Sequence, residues 1–257
     1  MKQIFHPVLR INVMASYPVL LFLATVLHSF FPAYGNENQD LNALSTTQKE
    51  VQSEIVNKHN ELRKSVSPTA SNMLKMKWSN EAAANAQKWA NQCIYSHSAP
   101  DARKTNISCG ENLFMSDYLP SWSEAIQAWY DEHHDFIYNV GGKTPSAVVG
   151  HYTQVVWYSS FHVGCGIALC TNQNLKYFLV CQYCPAGNYL SRINTPYDKG
   201  APCGSCPGHC EDGLCTNGCD HEDGYGNCKY LKNALTCENP ITKKGCNATC
   251  NCENKIY

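Results

Sequence analysis

Residues 203–252 read CGSCPGHCEDGLCTNGCDHEDGYGNCKYLKNALTCENPITKKGCNATCNC, ten cysteines in a stretch where Leu214, Leu231, Leu235 and Ile241 are nearly the only aliphatic side chains. A segment this small and polar does not offset its ordering entropy by burial, so it needs covalent staples. The other six cysteines (Cys93, Cys109, Cys165, Cys170, Cys181 and Cys184) are spread through the preceding part of the chain. A total of sixteen, an even number, points to an oxidising compartment unless most of them bind metal. Cys203-x2-Cys206 followed by Cys210 and Cys215 has zinc-ribbon spacing, and His209 and His221 lie nearby. In a secreted chain the same spacing is read as disulfides, and spacing alone leaves their pairing open.

The other end of the chain names the compartment. Pro18 to Leu27 read PVLLFLATVL, with Lys2 and Arg10 as a basic flank and Ala33-Tyr34-Gly35 as small residues at peptidase spacing. That run suits a signal peptide and is too short to span a bilayer. Residues 1–35 are expected to be the signal peptide, cut after Gly35, with residues ahead of Met14 an upstream extension. No later run is long and apolar enough to span a membrane, so the mature protein is expected to be secreted and extracellular. The sequons Asn106-Ile107-Ser108 and Asn247-Ala248-Thr249 make Asn106 and Asn247 the expected glycosylation sites. A net charge of -1 and pI near 6.8 supply no field that would draw the chain to nucleic acid or anionic membrane.

At 257 residues there is room for one full-sized domain and a small one. Pro196, Gly200 and Pro202 interrupt any regular pattern between residues 187 and 203, which places a boundary there. The expected division is a large domain over 36–200 and a cysteine-rich domain over 201–257. In the large domain, Thr47-Gln48-Lys49-Glu50 reads as a capping box opening a helix with Val51, Ile55, Leu62 and Val66 on its apolar side, ended by Ser67-Pro68. Ser79 is placed to cap a second, alanine-rich helix from Glu81 to about Cys93. Ser121-Trp122-Ser123-Glu124 reads as another capping box, for a helix carrying Ala125, Ile126, Trp129 and Glu132. His162 to Cys170 and Leu175 to Tyr183 read as an antiparallel strand pair. Helices first and strands last predict an α+β fold, a sheet covered by helices.

Four segments of the large domain belong together: His59-Asn60-Glu61-Leu62-Arg63, Gly110-Glu111-Asn112-Leu113, Gly150-His151-Tyr152-Thr153-Gln154-Val155-Val156-Trp157, and Cys181-Gln182-Tyr183-Cys184-Pro185-Ala186-Gly187-Asn188. In this order and spacing they resemble the signature motifs of the CAP superfamily. With the ten-cysteine tail the chain resembles the cysteine-rich secretory proteins, the mammalian epididymal, testicular and salivary members above all. That resemblance implies an αβα sandwich CAP domain, a small disulfide-rich hinge over 201–216 and a toxin-like unit over 217–257. It implies a cleft holding His97, Glu111, Glu132 and His151, whose two histidines bind zinc in some relatives. It also implies the pairs Cys93–Cys170, Cys109–Cys184, Cys165–Cys181, Cys203–Cys210, Cys206–Cys215, Cys219–Cys252, Cys228–Cys246 and Cys237–Cys250.

The tetrad admits three chemistries. Two imidazoles with nearby carboxylates suit a weakly held zinc. A zinc-activated water beside a glutamate suits hydrolysis. Buried His and Glu also satisfy one another as a structural network. Catalytic zinc sites commonly have three protein ligands, there is no Gly-x-Ser-x-Gly elbow, and no cysteine stands out as a nucleophile, so no catalytic residue is assigned. His133 and His134 are expected at the cleft rim or in solvent, and His59 in the core.

The terminal unit resembles the sea-anemone potassium-channel toxin fold, which implies an ion channel or another cell-surface protein as partner. Its one Lys-Tyr pair, Lys229-Tyr230, lies one loop earlier than in the pore-blocking toxins. Five lysines balance five carboxylates from Cys219 to Tyr257, so the unit has no cationic excess to steer it into a cation pore. The resemblance further implies reproductive or innate-defence settings, storage in secretory granules, and a gamete-binding role for the Cys181–Asn188 region. The expected function is a non-enzymatic binding and regulatory glycoprotein. A zinc-dependent hydrolase and a sterol or lipid carrier are the alternatives.

Overall fold

A computed structural model describes residues 37–257, so the signal-peptide expectation lies outside the described residues. Helix α1 (Glu37–Ala43) precedes α2 (Lys49–Lys64), which buries Val51, Ile55, His59, Leu62 and Arg63 along one face. The capping box expected at Thr47 does not form. Gln48 is the N-cap and makes no side-chain cap bond, while the Thr47 hydroxyl pairs with that of Ser45 at 2.9 Å. One residue of register separates the box motif from the true helix start, and an exposed cap of this kind is weak enough to be overridden. The helix closes at Ser65, whose N–H donates to the Leu62 carbonyl, ahead of Ser67-Pro68.

Strand β1 (Lys77–Trp78) leads into α3 (Asn80–Ala90), capped by Ser79, whose Oγ accepts from the Ala82 N–H at 3.2 Å. Ala82, Ala86 and Ala90, one turn apart, are fully buried. Strand β2 (Gly110–Ser116) follows, then α4 (Trp122–Asp131), capped by Ser121 Oγ accepting from the Glu124 N–H at 3.1 Å. A 3-10 turn over Glu132–Asp135, the short pair β3 (Phe136–Ile137) and β4 (Gly141–Gly142), and α5 (Gly150–Val155) complete this stretch. Strands β5 (His162–Leu169) and β6 (Tyr177–Cys184) run antiparallel over eight residue pairs from His162↔Cys184 to Leu169↔Tyr177.

The sheet order is β1-β5-β6-β2, with β1 parallel to β5 and the other pairs antiparallel. Every residue of β6 is buried because both faces of the sheet are covered. Phe178 and Val180 pack with Ala86 and Ala90 of α3. Leu179, Cys181 and Tyr183, alternating with them, join Ile55, Trp122, Ile126 and Val155 on the opposite side. The result is the αβα sandwich. Close approach of α3 to β5 depends on Gly164 and Gly166: a Cβ there would lie 2.1 Å from the Ala83 nitrogen and 2.4 Å from the Gln87 Cα.

The cysteine-rich segment holds β7 (Cys210–Glu211), β8 (Leu214–Cys215), α6 (Cys228–Leu235), α7 (Pro240–Gly245) and α8 (Asn247–Asn251). Its buried apolar content is small: Cys219, Ala248 and Cys252 form one cluster, and Cys206 and Cys215 join Leu74 and Phe161 in another. Backbone bonds fasten it to the sandwich. The Lys75 N–H donates to the Cys215 carbonyl at 2.8 Å and the Cys215 N–H to the Met73 carbonyl at 2.8 Å. Eight disulfides pair Cys93–Cys170, Cys109–Cys184, Cys165–Cys181, Cys203–Cys210, Cys206–Cys215, Cys219–Cys252, Cys228–Cys246 and Cys237–Cys250.

Candidate functional site

Strand β2 places Glu111 opposite Gln182 of β6, and the two side chains meet: Gln182 Nε2 donates to Glu111 Oε2 at 3.2 Å. Three more donors converge on the same carboxylate. The Ser98 N–H and hydroxyl reach it at 2.9 and 2.7 Å, and Nδ1 of His97 reaches Oε1 at 3.0 Å. Burial alone would raise the carboxyl pKa, but bonds from His97, Ser98 and Gln182 outweigh it and hold Glu111 below the usual carboxylate value. The carboxylate is therefore ionised at neutral pH, and it fixes the His97 ring.

A second dyad sits on α5. Glu132 Oε1 accepts from Nδ1 of His151 at 2.6 Å, while Oε2 accepts from the backbone N–H groups of His151 and Tyr152 at 2.9 and 3.1 Å. Glu132 thus caps the first turn of α5 and orients the histidine at once. Asn112, next to Glu111 on β2, joins the dyads by donating its Nδ2 to the His151 carbonyl at 3.1 Å.

In both dyads Nδ1–H points to a carboxylate, so each ring presents Nε2 as its free lone pair, and neither Nε2 has a protein partner among the described residues. A carboxylate behind a metal-binding imidazole is the usual outer-shell arrangement. Each histidine thus has the tautomer and the carboxylate backing that a metal-binding imidazole needs. The pair lacks a third protein ligand: the tetrad is not among the sets of three or more donor atoms lying within 4.8 Å of one another in the described residues. Those sets are Asp131 with His133 and His134, and Cys203 with Cys206 and Cys215. The cysteines are closed into disulfides and no free cysteine exists among the described residues, which removes both the zinc-ribbon reading and a thiol nucleophile.

The other motif segments form the frame. His59 is fully buried, its Nδ1–H donating to the Ile55 carbonyl at 2.7 Å and its Nε2 accepting from the Tyr183 hydroxyl at 2.9 Å. Arg63, 1% exposed, donates to the carbonyls of Leu74, Val155, Trp157, Tyr158 and Ser160, tying α2 to the loop after α5. Burial lowers its pKa to about 9, so it stays charged at neutral pH. Gln154 joins the third segment to the fourth, donating to Ser160 Oγ and accepting from the Gly187 N–H, both at 3.2 Å. Ser98 and Asn112 were visible in the sequence only as neighbours of His97 and Glu111, and Gln182 and Arg63 only as members of the motif segments; their partners lie elsewhere along the chain. Asn106 is exposed, whereas Asn247 is half-buried with its Nδ2 3.3 Å from His221 Nδ1.

Known proteins agree with this architecture. The model described as CAP, cysteine-rich secretory protein family, matches residues 56–183, and the Crisp model matches residues 203–257. Cysteine-rich secretory protein 3 of Homo sapiens is 62% identical over 245 residues, covering 95% of this chain and 100% of the relative. Cysteine-rich secretory protein 2 of Homo sapiens is 61% identical with the same coverage. Among solved structures, the crystal structure of NaASP2 with Zn2+ superposes with a TM-score of 0.57 at 32% identity, covering 66% of this chain and 96% of that one. The disulfides and secretory relatives fit an extracellular protein, and no helix among the described residues is long and apolar enough to cross a membrane. The chain belongs to the cysteine-rich secretory protein family.

Proposed function

We propose that the protein is an extracellular binding and regulatory protein without catalytic turnover, engaging a cell-surface protein, an ion channel or receptor, through its cysteine-rich tail. The observation that carries this is the apolar surface of a disulfide-locked unit. Tyr230 and Leu235 on α6 and Ile241 on α7 are 70%, 41% and 58% exposed. A small unit that gains little from burial yet leaves large apolar side chains in water presents them to a partner. Its balanced charge favours contact with an exposed channel or receptor face over insertion into a cation pore. Reproductive and innate-defence settings, with storage in secretory granules, fit the same reading.

The test applies the full mature protein to sperm and to cells expressing candidate channels, with surface binding and current both recorded. Tyr230→Ala with Ile241→Ser is expected to weaken binding at least tenfold while leaving the fold intact. Absence of both binding and current change would overturn the proposal.

A second, subordinate reading is a labile zinc held by His97 and His151, supported by the carboxylate behind each Nδ1 and by the zinc-containing NaASP2 neighbour. Hydrolysis is not favoured, because Glu111 and Glu132 are committed to holding the histidines rather than free to act as bases. No observation favours sterol carriage: the cavity of about 520 Å3 beside Trp157 and Tyr189 is also lined by Arg192, Glu222 and Asp223, charged groups unsuited to a sterol.

A further inference from the structure

We propose that Asp131, His133 and His134 form a second transition-metal site, separate in its donors from the His97/His151 pair and selective for zinc or copper(II) over calcium or magnesium. A carboxylate oxygen and two imidazole nitrogens lie within 4.8 Å of one another where α4 runs into the 3-10 turn. With three residues per 3-10 turn, Asp131 and His134 stand one above the other, and His133 fills the space beside them. Glu132, the residue between, turns the other way to His151, which keeps the two sites apart.

Two of the three donors are already oriented. His133 Nδ1–H donates to the Tyr130 carbonyl at 2.9 Å, which leaves Nε2 as the lone pair available to a cation. Its ring is supported by Tyr130 at 4.8 Å and Tyr152 at 6.1 Å between centroids. Asp131 Oδ1 accepts from Gln127 Nε2 at 2.7 Å, and Oδ2 has no protein donor among the described residues. The His133 and His134 rings lie 4.0 Å apart at 36°, and His134, which is exposed, is able to turn its ring so that both lone pairs meet one ion. Two imidazoles and one carboxylate suit zinc, nickel and copper(II); calcium and magnesium demand oxygen ligands. Three protein ligands leave a fourth zinc position for water, and Asp131 and His134 are exposed to supply it.

Titrate the full mature protein with Zn2+ by calorimetry and with Cu2+ by electron paramagnetic resonance. His134 is exposed, so His134→Ala removes a donor without touching the core. The expected result is one equivalent of zinc that persists in a His97→Ala/His151→Ala variant and is lost when His134→Ala is added to that variant. In the same His97→Ala/His151→Ala background, Asp131→Asn should weaken it at least tenfold, and the copper spectrum should show two coordinated nitrogens, falling to one when His134→Ala is added. Loss of all metal binding in His97→Ala/His151→Ala would overturn the proposal. So would zinc binding in that variant that is unchanged by His134→Ala and Asp131→Asn. Because the readouts use metal alone, failure here leaves the proposal of a tail-mediated binding protein standing, and the reverse holds as well.

Discussion

Tyr183 donates its hydroxyl hydrogen to Nε2 of His59 across 2.9 Å, joining α2 to the central strand inside a core that water does not reach. Burial pushes the His59 pKa down to about 4 from its ordinary 6.5, with charged Arg63 adding to the effect against the Ile55 carbonyl. The unfolded chain therefore binds a proton between these values that the folded chain refuses. Stability from this residue is complete above pH 6.5 and is lost as pH falls toward 4. The loss should approach about 3 kcal/mol at the acid end of the window. Denaturant unfolding with disulfides intact, repeated from pH 7.5 to 4, checks the slope. Tyr183→Phe strands Nε2 without a donor and should cost about 1–3 kcal/mol at neutral pH. A change below about 0.5 kcal/mol would show that this bond contributes no net stability.

The packing of α3 on β5 makes a sharper demand. An alanine at Gly164 would press its Cβ against the Ala83 nitrogen at 2.1 Å and the Ser79 carbonyl oxygen at 2.5 Å, both backbone atoms at the capped start of α3. Backbone does not swing aside as a long side chain does, so Gly164→Ala should cost about 3 kcal/mol or more, or abolish secretion. Gly226→Ala is the control, because nothing lies within 4 Å of the Cβ it adds. Thermal unfolding of the purified variants distinguishes them; equal midpoints would mean that the helix can lift off the sheet freely.

How much of this was legible follows the range of the forces involved. Ser79 and Ser121 cap their helices as read, since a hydroxyl and an N–H three residues apart need only local geometry. The β5–β6 pair was visible because both strands are short β-rich runs separated by a turn. Strand β2 was not read, for Gly110–Leu113 enters the sheet through β6, its partner roughly seventy residues later. The cleft residues came from motif likeness, and composition would not have found them. That Glu132 caps α5, or that Asn112 links the dyads, required the tertiary fold. Likewise the cysteines announced staples, but their pairing, Cys219 with Cys252 included, came from family likeness and not from spacing, and the folded chain bears it out.

Those staples carry unequal burdens. In the tail, α6, α7 and α8 enclose little apolar material beyond the cystines themselves. Cys228–Cys246 closes a separation of 18 residues, and its removal should cost about 3 kcal/mol. That exceeds what burial in so small a unit supplies. Cys228→Ser with Cys246→Ser should therefore open residues 217–257 to proteolysis while the sandwich keeps its melting temperature, since its own core is separate. Limited digestion followed by mass spectrometry of the fragments reads both at once. A tail that remains resistant would mean its contacts with the sandwich, such as Ser108 donating to Glu222 at 2.9 Å, suffice to hold it.

The zinc reading of the cleft stands or falls on Glu132. Its two oxygens do different work: one orients His151, the other caps α5 through two N–H groups. Glutamine in its place keeps one acceptor and turns an amide toward groups that donate, so Glu132→Gln must give up either the ring or the helix cap. In a His134→Ala background, which removes the neighbouring donor set, calorimetry should show zinc binding weakened about 10–100-fold by Glu132→Gln. His151→Ala, which deletes a ligand outright, should abolish it. The accompanying loss of helix capping should appear as about 1 kcal/mol of stability in Glu132→Gln and far less in His97→Ala. His97 is more than half exposed and its carboxylate partner keeps the bonds from Ser98 and Gln182. Zinc affinity unchanged in Glu132→Gln, with stability lost, would assign this carboxylate to α5 alone and leave the cleft as scaffolding.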